Sequence, residues 1–186
     1  ETALVIREGG IAAVKGIGGF HLVCDASNAK AVKRLRDRKG RNEKPLAVMC
    51  AGVASAKRIA LVDAAEEKLL TGTAHPIVLL RKKPEIVESE AFPGIADELS
   101  EIGVMLPYTP LHALLFHALL GEPEGTAWME EPHDLYLVMT SANPGGEPLV
   151  IGNDEARKRL SSIADVLLLH NREILIRCDD SVVRST

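Results

Sequence analysis

The sequence predicts an α/β fold built on a mixed sheet, and three observations carry that prediction. Short apolar runs bounded by Gly, Pro or charged residues recur along the 186 residues and alternate with stretches of helical spacing. Several neighbouring runs leave no room for a crossover helix, so the sheet should not be purely parallel. With 46% hydrophobic but only 3% aromatic residues, one core of Leu, Val, Ile and Ala is expected.

Taken in order, residues 1–7 read straight into a strand and carry no secretory signal pattern. Residues 4–6 and 11–15 are split by Gly9-Gly10, giving either two strands around a turn or a helix end followed by a strand. An apolar pattern resumes at 20–24 after Gly16-Ile17-Gly18-Gly19. Ser27 or Asn28 can cap a helix carrying Ala31, Val32 and Leu35, which should fade at Gly40. Residues 46–50 read as a buried strand, 54–60 and 63–70 as short helices, and 77–80 as a strand. A surface loop is expected over 84–101, then a strand at 102–106 ended by Pro107. Pro110 suits the first turn of a helix through Leu111, Leu114, Leu115 and Leu119. After an acidic loop at 121–134, residues 135–139 form a strand running into Thr140-Ser141-Ala142-Asn143. A helix at 154–160 and strands at 166–169, 174–176 and from 181 complete the pattern. The last of these reads as a strand cut mid-course, which suggests a single domain, residues 1–186, excised from a longer protein.

The net charge of −4 is unevenly spread: residues 30–44 hold eight basic and two acidic side chains. A cationic cluster on an otherwise acidic chain points to a small anionic ligand more than to nucleic acid, which recruits a broader basic face. No apolar run approaches the length of a membrane helix, so a soluble cytoplasmic protein is expected. Cys24, Cys50 and Cys178 lie far apart, without the spacing of a zinc clip, and are read as reduced. Gly16-Ile17-Gly18-Gly19-Phe20-His21 departs from the dinucleotide fingerprint, because His21 stands where the third glycine belongs. His112 and His117 are five apart, which puts them on different sides of a helix.

Four segments can carry chemistry. Gly40 breaks the basic helix, so Lys39 and Arg41 leave it on a turn where two cations can converge on a polyphosphate; a solvated helix end is the alternative. Thr140, Ser141 and Asn143 end a strand, where α/β folds gather ligands, and offer uncharged donors; they also fit a turn. Asp179 and Asp180 beside Ser181 could meet a magnesium–phosphate cluster or simply form a turn. Lys15 with the Gly16–Gly19 loop could hold a small carboxylate, or be a flexible turn with a surface lysine.

Together these segments resemble the YrdC family, whose nucleotide signature is Lys-x-Arg followed far downstream by Ser-x-Asn: here Lys39, Arg41, Ser141 and Asn143. The stretches 15–25, 103–112, 140–148 and 170–184 are similar to the HypF branch, the hydrogenase-maturation carbamoyltransferases. The resemblance implies a twisted mixed sheet flanked by helices around an open cleft. It implies ATP as substrate with Mg2+, and formation of carbamoyl-adenylate and pyrophosphate from carbamate and ATP. It assigns Lys39 and Arg41 to catalysis, Lys39, Arg41, Thr140, Ser141, Asn143 and Ser181 to the nucleotide, and Lys15, Gly18, Gly19 and His21 to a carbamate pocket. The implied partners are the other HypF domains (acylphosphatase-like, zinc-finger and carbamoyl-transfer) and the acceptor protein HypE. Free-standing relatives that make threonylcarbamoyl-adenylate usually carry a different first loop and end the last motif with Asp, where this chain has Arg184. That activity and a non-catalytic RNA-binding module are the alternatives. In the adenylation reading carbamate is already an anion, so no strong base is needed and the difficulty is bringing anion to anion.

Overall fold

The computed structural model describes residues 1–40, 44–89, 91–143 and 147–185. Arg41, assigned to the phosphate turn, lies outside the described residues.

In chain order the elements are α1 (Thr2–Arg7), β1 (Ala12–Lys15), β2 (Phe20–Asp25), α2 (Ala29–Lys39), β3 (Ala47–Cys50), α3 (Val53–Ile59) and α4 (Ala64–Thr71). They continue as β4 (Ile77–Arg81), α5 (Pro84–Glu88), β5 (Glu101–Met105), α6 (Pro110–Leu119), a 3-10 turn (Ala127–Met129), β6 (Tyr136–Ser141), α7 (Asn153–Arg159), β7 (Val166–Leu168) and β8 (Val182–Val183). The strands form one sheet in the order β7-β1-β2-β6-β3-β5-β4-β8. Its pairings are parallel at β1/β7, β3/β5 and β4/β8 and antiparallel at the other four, so the sheet is mixed as expected.

Alternation along the central strands sends side chains into two cores. On one face Ala13, Leu22, Cys24 and Val138 pack with Val32 and Leu35 of α2, Ile59 of α3, Leu70 of α4 and Ala156 of α7. On the other, Ala12, Val14, Val23, Leu137 and Met139 meet Ile6 of α1 and Leu115, Phe116 and Leu119 of α6. Period-two burial on both faces explains why these strands read as continuous apolar runs.

Three expectations are corrected. Residues 1–7 are not a strand: Thr2–Arg7 is a helix, followed by Gly9 at φ +83°, so of the two readings around Gly9-Gly10 the helix end followed by a strand holds. Residues 174–176 form no strand; Ile174 is buried while Leu175 and Ile176 are exposed. The 84–101 region contains the short helix α5, started by Pro84 at its first turn.

The basic helix is set as its sequence suggests. Asn28 accepts from the N–H groups of Lys30 and Ala31, and Gly40 ends the helix at φ +63°, a left-handed position that glycine takes without a Cβ penalty. Its arginines reach neighbouring backbone carbonyls. Arg34 donates to the Gly9 carbonyl, Arg36 to those of Gly94 and Lys44, and Arg38 to that of Ile163. These hydrogen bonds tie α2 to the loops around it while the arginines remain partly exposed.

Asp165, preceding β7, accepts from Ile11 N–H at 2.8 Å and from Arg38 Nη1 at 2.7 Å. Burial pushes its carboxyl up, but the Arg38 hydrogen bond, the Ile11 N–H and the charges of Arg38 and Arg34 outweigh it and hold the pKa below the ordinary value. A depressed folded pKa contributes stability above the unfolded value of about 3.9, lost as pH falls through the folded value. Asp165→Asn is expected to flatten the fall in urea midpoint below about pH 4; a parallel fall in both proteins would remove Asp165 as the source.

Candidate functional site

The site grows from the end of β6. Antiparallel pairing of β2 with β6 sets His21 opposite Ser141 and Leu22 opposite Thr140, so the start of β2 and the end of β6 share one edge of the sheet. The C-terminal turn of α2 delivers Lys39 there. Its side chain is buried, and Nζ donates to Thr140 Oγ1 at 3.0 Å and to the Ser141 carbonyl, with the Ser141 hydroxyl at 3.5 Å. A buried lysine needs such partners. The Ser141 hydroxyl donates to Asn143 Oδ1 at 2.8 Å, and Asn143 Nδ2 donates to the Glu147 carbonyl at 2.6 Å. Lys39, Thr140, Ser141 and Asn143 are thus brought together.

Beside them lies a cavity of about 320 Å3 lined by Thr140, Ser141, Asp179 and Asp180 over a floor that includes Ala47, Gly103 and Met139. The floor is low at Ala47 and Gly103, which are small. A Cβ on Gly103 would stand 3.0 Å from Ile77 Cγ2 and 3.8 Å from the Ala47 Cα. A larger recess, about 620 Å3 between Lys82 and Ser100, has none of these polar groups in its wall.

The C-terminal segment closes one end of the cavity. Cys178 N–H donates to the Gly18 carbonyl at 3.1 Å and Ile77 N–H to the Ser181 carbonyl at 2.8 Å, while Arg177 Nε donates to the Leu149 carbonyl at 2.9 Å. Gly18 is required by this approach, since a Cβ there would lie 2.2 Å from the Cys178 carbonyl oxygen. Gly19 packs on Leu149. Ser181 is exposed and follows directly on the two aspartates of the wall.

Asp180 joins three parts of the chain. Its Oδ2 lies 2.8 Å from His21 Nε2 and its Oδ1 accepts from Tyr108 OH at 3.1 Å. Burial raises the Asp180 pKa, but the hydrogen bond and charge of His21 and the hydrogen bond of Tyr108 more than offset it, so the carboxyl lies below its ordinary value. Burial pushes the Tyr108 phenol up, and the Asp180 charge adds to it. His112 is fully buried, with its ring 4.7 Å from Tyr108 and 6.0 Å from His21. Burial first, then the His21 charge, lowers its pKa to about 3 against a smaller opposing effect of Asp180, so it is a neutral imidazole.

Lys15 is not brought to this group. Register pairs Lys15 with Phe20 and Val14 with His21, so Lys15 and His21 leave opposite faces of the sheet. Lys15 Nζ instead donates to the His170 carbonyl at 3.2 Å. Burial lowers its pKa, partly countered by Glu173. Asp180 is likewise a poor magnesium ligand here, because both of its oxygens are engaged. Asp179 fits that role better: it is exposed on the cavity wall, and the hydrogen bond it makes is to Asp180 N–H at 3.1 Å. Tyr108 was not singled out from sequence. The available signal was a rare aromatic directly after Pro107 at a strand end.

The three cysteines are free, and burial pushes the Cys24 thiol up to about 12 and the Cys50 thiol higher still. Among the described residues no helix is long and apolar enough to cross a membrane.

Comparison with known proteins places this geometry in context. Residues 4–186 match the family described as telomere recombination, Sua5/YciO/YrdC. The chain is 59% identical over 184 residues to "Carbamoyltransferase HypF2" of Cupriavidus necator, covering 99% of this chain and 23% of that protein. It is 50% identical to "Carbamoyltransferase HypF" of Rhodobacter capsulatus, covering 98% of this chain and 22% of that protein. The chain therefore spans less than a quarter of the length of these relatives. A full-length HypF crystallised in a phosphate- and nucleotide-bound form superposes with a TM-score of 0.85 at 46% identity, over 98% of this chain and 26% of that one. P. abyssi Sua5 in complex with L-threonine shares the fold, with a TM-score of 0.75 at 22% identity over 99% of this chain and 49% of that one.

Proposed function

The chain belongs to the Sua5/YciO/YrdC family, and from that premise we propose that it forms carbamoyl-adenylate from carbamate and ATP, as one step of a HypF carbamoyl transfer. A carbamate oxygen attacks the α-phosphorus, the bond from that phosphorus to the β-phosphate bridging oxygen breaks, and pyrophosphate leaves with the electron pair. Carbamoyl-AMP remains, and no proton has to move. The observation that carries this reading is the Lys39 ammonium held against Thr140 and Ser141, two residues that line the cavity. A fixed cation there offsets repulsion between two anions and stabilises charge on the leaving group without reorganisation. A nucleotide-bound full-length HypF stands among the structural relatives, which supports a nucleotide as a ligand of this enzyme family.

Ser141 and Asn143 position the nucleotide in this reading, Ser141 by its hydroxyl and Asn143 by exchanging its bond to the Glu147 carbonyl. The floor at Ala47 and Gly103 leaves room for a flat group. Asp179, on the cavity wall, would be the carboxylate to hold Mg2+ brought in with ATP, and the ion would supply charge stabilisation for the phosphates there. The family resemblance assigns the small acid to the Gly18–Gly19 turn and His21, which stands opposite Ser141 in the ladder. HypE and the remaining HypF domains are the partners that would supply carbamate and consume the adenylate.

Among the alternatives, the threonylcarbamoyl route rests on likeness to Sua5 at 22% identity, against 59% to a carbamoyltransferase. The RNA-binding module has less support, because Arg34, Arg36 and Arg38 also bind the protein's own carbonyls. ATP–pyrophosphate exchange with ammonium carbamate tests the proposal: exchange should require both carbamate and Mg2+. A chain that binds ATP yet exchanges nothing with carbamate would refute it.

A further inference from the structure

His21 has no polar atom left for a ligand. A carboxylate only accepts hydrogen bonds, so in the 2.8 Å contact to Asp180 Oδ2 the donor is His21 Nε2, in the neutral and the charged ring alike. Nδ1 is buried, has no partner among the described residues, and would stand only 3.1 Å from a Cβ on Gly16. His21 is also missing from the lining of the cavity. What the ring does hold is Asp180. Tyr108 OH holds the other oxygen at 3.1 Å, and the Tyr108 ring is itself packed against His75 at 6.1 Å and the edge-on ring of His112 at 4.7 Å. Little else sets this part of the chain. Residues 169–181 contain no helix or strand, and Leu175 and Ile176 are exposed. Cys178 is tied to Gly18, Asp180 to His21 and Tyr108, and Ser181 to Ile77. Asp179 stands among these fastenings and lines the cavity, with its Oδ1 accepting from Asp180 N–H at 3.1 Å. Among the described residues no three His, Cys, Asp or Glu side chains gather to hold a metal ion. A single carboxylate together with substrate phosphate oxygens is nevertheless a usual way for a protein to hold Mg2+.

We infer that His21 and Tyr108 are positioning residues that act through Asp180 to set Asp179 on the cavity wall for Mg2+ brought in with ATP, and that His21 does not touch the small acid. This rests on the nucleotide reading of the cavity and extends it. It moves His21 from the carbamate end, where the family resemblance assigns it, to the metal and nucleotide end. Both Asp180 oxygens are spent on the clasp, which leaves the neighbouring Asp179 as the carboxylate that the clasp presents.

The experiment is calorimetric titration of the chain with ATP, with and without Mg2+, alongside the carbamate KM in pyrophosphate exchange. His21→Leu removes the donor to Asp180 and should weaken ATP binding in Mg2+ about 10–100-fold, the loss typical when the partner that orients a metal ligand is removed. ATP binding without Mg2+ and the carbamate KM should stay within a few-fold. His21→Gln places an amide N–H near the position of Nε2 and should restore most of the Mg2+-dependent part. Tyr108→Phe keeps the ring and removes one bond to Asp180, so it should give a smaller loss of the same kind, and it serves if His21→Leu does not fold. Amide hydrogen–deuterium exchange supplies a readout that needs no ligand: Cys178 N–H, bonded to the Gly18 carbonyl, should lose protection in both variants. A raised carbamate KM with Mg2+-dependent ATP binding intact, equal weakening with and without Mg2+, or unchanged protection of Cys178 overturns the inference. The failures separate. If the unaltered chain binds ATP alike with and without Mg2+, the reading on which the inference rests fails. If it binds ATP more tightly with Mg2+ and the variants match it, the clasp fails alone. If it binds ATP with Mg2+ but exchanges no pyrophosphate, adenylation fails, and the binding and Cys178 data still decide the clasp.

Discussion

Lys39→Met is expected to lower carbamate-dependent ATP–pyrophosphate exchange by about 10²–10³-fold, the loss typical of removing one preorganised electrostatic donor. Methionine keeps an unbranched apolar stem in the buried path from α2 and removes only the ammonium and its bonds to Thr140 and Ser141. The loss should fall mainly on kcat, because charge on the leaving pyrophosphate is greater in the transition state than in bound ATP. Lys39→Arg should recover little, since a planar fork cannot occupy the place of a point charge bonded to both a hydroxyl and a carbonyl at the strand end. Exchange within a few-fold of the unaltered chain, with ATP binding intact, would take Lys39 out of the chemistry and leave it a structural tie between α2 and β6.

The juxtaposition of Lys39 with Ser141, 102 positions apart, is what the resemblance to the Lys-x-Arg and Ser-x-Asn signature implies; the local signals are compatible with it but leave a solvated helix end and a turn open. A basic helix stopped by Gly40 and a strand ending in small polar residues both point to the ligand side of an α/β sheet. The Asp180 clasp had no such signal. His21 and Asp180 are 159 residues apart, and Asp179-Asp180 looks locally like a turn or a metal-binding pair, so only the tertiary fold shows that Asp180 is taken up by His21 and Tyr108. The placing of Lys15 is a matter of parity. It adjoins the glycine loop, but one residue of register decides which face it leaves by, and it leaves by the face opposite His21. The errors in elements have similar origins. Thr2–Arg7 contains Val and Ile, which suit a strand, yet it is helical because its Ile6 and the partly buried Ala3 cover the α6 side of the sheet. Residues 174–176 are apolar enough for a strand, but no neighbour pairs with them among the described residues.

Phe20→Ala is expected to cost about 3–5 kcal/mol of stability, the range for truncating a buried phenylalanine, and to reach the site as well as the core. The chain has only three phenylalanines, and Phe20 is among its largest fully buried side chains, so few neighbours are large enough to fill the cavity left behind. It is also the hinge between loop and sheet. Its N–H donates to the Val150 carbonyl at 3.0 Å, and its carbonyl accepts from Ala142 N–H at 2.7 Å. The side chain therefore anchors the residue that joins the Gly16–Gly19 turn to the strand carrying His21, and it holds the segment just past Ser141 in place. Urea unfolding should show the midpoint falling at constant slope. In what remains folded, the carbamate KM should rise more than the ATP KM, because the glycine turn loses its support while Lys39 keeps its partners. Equal effects on both constants would mean that the core of α2 and α7 supports the whole cleft, and that the glycine turn is held by the Gly18–Cys178 contact instead.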